Sequence, residues 1–75
     1  MTGSDTGTQE QGELLSRLFA MLTTTMEDGA ALAVEGQGKA PPELRLELAG
    51  RIEGLGEDIL TLSRAVQAIL EKEPE

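Results

Sequence analysis

The chain has 75 residues, with Lys+Arg 6 against Asp+Glu 14 for a formal net charge of -8, Cys 0, His 0 and a single aromatic residue, Phe19. At this length it forms at most one small domain, which buries only about 60% of the surface its unfolded chain exposes and needs some supplement to its core. Lack of cysteine and histidine excludes disulfides and the common structural metal centres, so the expected supplement is association with another chain.

Residues 1–7 are rich in Thr, Gly, Ser and acid, and are expected to form a flexible tail. Thr8 followed by Gln11 fits a capping box, in which the hydroxyl satisfies a free amide of the first turn and the Gln side chain reaches back. A first helix is therefore expected over about residues 9–35. It carries Leu15, Phe19, Leu22, Met26, Gly29 and Ala33 at alternating spacings of four and three, with Leu14, Leu18 and Met21 on an adjoining stripe. An apolar arc this wide suits a helix with two neighbours in a bundle better than the narrow seam of a two-stranded coil. Glu27-Asp28-Gly29 is where this helix could break, because Asp caps helices and Gly ends them.

Gly36-Gln37-Gly38 offers residues able to take positive φ after the last turn, and Pro41-Pro42-Glu43 sets a fixed φ and an acid at the opening of a second helix over about residues 42–72. So short a connection, about residues 36–41, places the two helices side by side and antiparallel, with arms of roughly 40 Å or a little more. Within the second helix, Leu48, Ile52, Leu55, Ile59, Leu62, Val66 and Ile69 recur at alternating spacings of four and three, the period that holds one seam of a helix against a neighbour. Taking Ile52, Ile59 and Val66 as a and the others as d, the identities favour parallel paired helices. The flanks weaken that inference and leave parallel and antiparallel pairing both open: Ala49, Gly56, Ser63 and Leu70 at e, with Arg51, Asp58, Ala65 and Lys72 at g, make no Glu/Lys ladder. Leu46 and Leu60 at b widen the apolar area, and Gly50, Gly54 and Gly56 each weaken the helix by roughly 0.8–1.0 kcal/mol relative to Ala. The Gly50-to-Gly54 spacing reads either as tolerated surface drift or as a groove for a neighbouring helix.

Function classes fall away in turn. Arg17, Lys39, Arg45, Arg51, Arg64 and Lys72 are scattered singly and no aromatic platform accompanies them, so nucleic acid is not an expected partner. No apolar run approaches the roughly 20 residues that span a bilayer, and an acidic surface is repelled by acidic lipids. Met1 to Gly12 has neither the basic nor the apolar region of a signal peptide, and the expected location is cytoplasmic. Met1 and the charged run Glu71-Lys72-Glu73-Pro74-Glu75 are expected to be natural termini.

Catalysis is not expected, because the commonest general base, thiolate nucleophile and transition-metal ligands are missing as residue types. Glu43 with Glu47, and Glu53 with Glu57, could act as paired carboxylates or hold a hard cation, but acids in helical register are ordinarily solvated surface. Thr23-Thr24-Thr25 reads as packing, with Thr25 near the apolar arc and its hydroxyl free to bond a carbonyl one turn back. Gly36-Gln37-Gly38-Lys39 lacks the Ser/Thr and the preceding strand of a phosphate loop. No catalytic, cofactor or metal residues are assigned.

The expected fold is all-α, an antiparallel two-helix hairpin that self-associates into a dimeric four-helix bundle. Its oligomer interface is assigned to Leu15, Leu18, Phe19, Leu22 and Met26 of the first helix and to Leu48, Ile52, Leu55, Ile59, Leu62, Val66 and Ile69 of the second. The expected function is a non-enzymatic interaction module, a small scaffold, adaptor or regulatory protein whose partner is itself, in a homodimer, or another protein. The alternative is an acidic inhibitor or regulatory subunit that covers a basic surface, steered there by charge.

Overall fold

The computed structural model describes the backbone of residues 2–72 and the side chains of residues 9–72. Helix α1 runs Thr2–Gln37 and helix α2 runs Pro42–Glu71, with residues 38–41 between them. Among the described residues there is no strand, and the two helices pack against each other as an antiparallel hairpin. The backbone is helical well before the start expected at Thr8; extending an existing helix adds one hydrogen bond per residue fixed, whereas the cost lies in nucleation. The capping side chain assigned to Thr8 lies outside the described residues.

The turn works through proline more than glycine. Pro41 is extended at φ -68 and ψ 158 and Pro42 opens the first turn of α2, with Glu43 beside the positive end of the helix dipole. The amide of Arg45 donates to the Pro41 carbonyl at 3.0 Å, closing that turn, and the Arg45 guanidinium reaches back to the Gly38 carbonyl at 2.9 Å. The expected positive φ in Gly36-Gln37-Gly38 is not adopted, and among the described residues no glycine takes one. Gly36 continues α1 instead, because the chain leaves the helix through a tight turn in which Gly38 N–H donates to the Glu35 carbonyl at 3.3 Å. Gly29 does not interrupt α1 either: a single glycine costs only about 1 kcal/mol, less than the packing of the turns on either side of it.

The register is set along the whole seam. An added Cβ at Gly29 would come 3.9 Å from Leu55 Cδ1 and one at Gly36 would come 3.8 Å from Leu48 Cδ1, so those residues lie level. Nearer the open end, Gln11 Nε2 donates to the Ile69 carbonyl at a long 3.5 Å, covering one of the last acceptors of α2. The result is a rod of 61 × 16 × 13 Å with a radius of gyration of 17.6 Å, against about 11 Å for a globule of this length. Such a rod has little interior, and among the described residues only Leu48 and Val66 are buried.

Candidate interaction surface

On α2 the seam is the expected one, with Leu48 and Val66 buried and Ile52, Leu55, Ile59, Leu62 and Ile69 half-buried against α1. On α1 the structure selects a different seam: Gln11, Leu15, Leu18, Leu22, Thr25, Gly29, Leu32 and Gly36 are the half-buried residues. Two readings with the same spacing share Leu15, Leu22 and Gly29. The one through Phe19, Met26 and Ala33 is rejected because its partner residues lie one step round the helix, leaving Phe19 55% and Met26 58% exposed. Of the twelve residues assigned to an oligomer interface, ten are therefore contacts of the hairpin itself, and Phe19 and Met26 stand outside it. Leu32, in steps of seven from Leu18 and Thr25, was the residue whose place the spacing could have revealed.

With Leu15 and Leu22 as a, and Leu18 and Thr25 as d, the remaining positions sort into two sides. In an antiparallel pair the e positions of both helices share one side and the g positions the other. On the g side, Asp28, Arg51 and Asp58 line a shallow groove of about 650 Å³ together with Leu32, Gly54 and Leu55. The charges follow this division. Positions c, f and g carry Glu10, Glu13, Arg17, Glu27, Asp28 and Glu35 on α1 and Glu43, Glu47, Arg51, Glu57, Asp58, Arg64, Glu71 and Lys72 on α2. On the side made by b and e, Glu53 is the one charged side chain among the described residues.

This side, with its single charge, holds Phe19 and Met26 of α1 with Leu46, Leu60 and Leu70 of α2, which are 76%, 48% and 49% exposed. Counted from the register of the seam, the nearest e positions across the hairpin are Phe19 and Ser63, Met26 and Gly56, Ala33 and Ala49, and Gly12 and Leu70, each pair about two residues off level, and in all but the alanine pair a large residue stands near a small one. Isolated exposed apolar residues are ordinary; here five large ones fall on one side of the hairpin, interrupted by Glu53. Gly50 and Gly54, at f and c, lie off this strip with nothing within 4 Å of an added Cβ, so neither packs against α1, and Gly54 borders the g-side groove.

The hydroxyls of the threonine run are satisfied locally. Thr25 Oγ1 donates to the Met21 carbonyl at 2.8 Å and Thr23 Oγ1 to the Phe19 carbonyl at 3.1 Å. No buried side-chain polar atom among the described residues lacks a partner, and no group of three acidic residues there could hold a metal ion. No helix among the described residues is long and apolar enough to cross a membrane. No protein-family model, curated protein or solved structure matches the chain.

Proposed function

We propose that this chain is a non-enzymatic, cytoplasmic oligomerisation and protein–protein interaction module, whose hairpin self-associates into a dimeric four-helix bundle. The observation that carries the reading is the nearly uncharged b/e side with its exposed Phe19, Met26, Leu46, Leu60 and Leu70, on a rod whose own interior buries only Leu48 and Val66. Fully burying a side chain of this kind contributes about 1.5–3 kcal/mol, so two buried residues leave the hairpin poorly stabilised, and the outer strip is the apolar area still to be used. Light scattering over a dilution series, with helical signal recorded at each step, tests it. A particle of twice the 8.0 kDa chain mass, whose helicity falls as it dissociates, supports the reading; a helical monomer at every concentration overturns it.

The segregation of acids onto c, f and g favours a second role for the same particle. Docking through the b/e side leaves the acidic c, f and g positions on the outside of a chain of net charge -8, suited to a basic surface of another protein. That contact weakens steeply with salt, whereas apolar helix docking does not.

A further inference from the structure

Resting on the dimer reading, we infer that the occupant of the b/e side is a second copy of this chain, docked about a twofold axis that runs along the helices. The two interhelix loops then lie at the same end, and each α1 faces the partner's α2 running the other way.

Three observations carry this. The first is area: α2 has 30 residues, about 45 Å of helix. Against a rod 16 Å wide, that gives a face of about 700 Å² on each copy. A stable interface takes about 800 Å² per partner, so a second hairpin covers the strip end to end at the size association requires. The second is charge. Copies of net charge -8 repel one another, and the b/e side, with Glu53 alone, is where two such rods meet with the fewest charged side chains to bury.

The third is shape, which selects the axis. With the axis along the helices, level is conserved across the interface: Phe19 meets Ser63 of the other copy, Met26 meets Gly56 and Ala33 meets Ala49. In the Phe19 and Met26 layers large and small residues then alternate, as interdigitated cores require. With the axis across the helices, α1 faces α1 and α2 faces α2, so Phe19 crowds Met26 on one half of each layer while the small Ser63 and Gly56 face each other on the other.

The chain contains no cysteine, so single-cysteine variants report the arrangement directly. Ser16 and Gln67 are exposed b positions that the first arrangement brings together across the interface, whereas Leu60, near mid-length, approaches its own twin only in the second. Purified Ser16→Cys and Gln67→Cys chains are mixed, and Leu60→Cys is taken alone, each treated with a short bis-maleimide after light scattering has established its mass. Expected is a covalent dimer in the Ser16/Gln67 mixture and loss of that product with Leu60→Cys alone. Dimers that link only through Leu60→Cys overturn the axis, and dimers that link in neither sample overturn the face, while the oligomerisation reading survives both. Monomers throughout overturn the inference and that reading together.

Discussion

Gly29 sits in mid-helix on the seam, with room for a methyl group that would come 3.9 Å from Leu55 Cδ1, an ordinary van der Waals distance. Gly29→Ala is therefore expected to raise stability by about 1 kcal/mol, through helix propensity and a modest new contact, read as a higher midpoint in urea with unchanged slope. Gly50 faces open solvent at position f, and Gly50→Ala is expected to stabilise by a similar amount and to leave the light-scattering mass unchanged. Loss of association in that variant would instead make Gly50 part of a groove for a partner helix. Leu48 is the opposite case. At 2% exposure it is the best-covered side chain among the described residues, and Leu48→Ala is expected to cost about 2–5 kcal/mol, enough to remove most of the helical signal at room temperature.

At the level of elements, α2 is the more fully specified. Pro41 and Pro42 set its start, the Arg45 amide and guanidinium close the turn onto Pro41 and Gly38, and its seven-residue seam survives unchanged from spacing to structure. The seam of α1 was ambiguous for a physical reason. Its apolar arc spans d, e and g together, and a wide arc is compatible with more than one rotation about the helix axis. Which rotation wins depends on what faces it: the small Gly29 and Gly36 approach Leu55 and Leu48, and that contact carries Phe19 and Met26 outward. Arg45→Ala should loosen the loop without disturbing either helix. We expect a loss of about 1 kcal/mol, set by one charge-assisted hydrogen bond at an exposed position, and faster amide exchange at residues 38–41.

For the molecule as a whole, the division of charge is the property that matters. Phe19 and Val34 are similarly exposed, at 55% and 63%, yet Phe19 lies on the nearly uncharged strip and Val34 on the charged side at position f. Phe19→Glu places an unpaired charge in the proposed interface and is expected to weaken the dimer by about 3 kcal/mol, on the order of a hundredfold in Kd, whereas Val34→Glu leaves it unchanged. Analytical ultracentrifugation of the two variants at matched concentrations makes the comparison. Association of the unaltered chain should hold or strengthen as salt is raised, because screening relieves repulsion between copies of net charge -8 and leaves apolar contacts intact.

Spacing and punctuation in the sequence by themselves determined two helices, their antiparallel order and the inward face of α2, because a proline-led turn and a seven-residue repeat are local rules that need no knowledge of the neighbour. Composition alone removed disulfide and histidine chemistry. The tertiary structure decided the rotation of α1, the removal of Phe19 and Met26 from the hairpin seam, and the placing of large residues on one helix near small ones on the other. Those depend on distances between residues far apart in the chain, and a face becomes a surface only when the two helices are set side by side in one register.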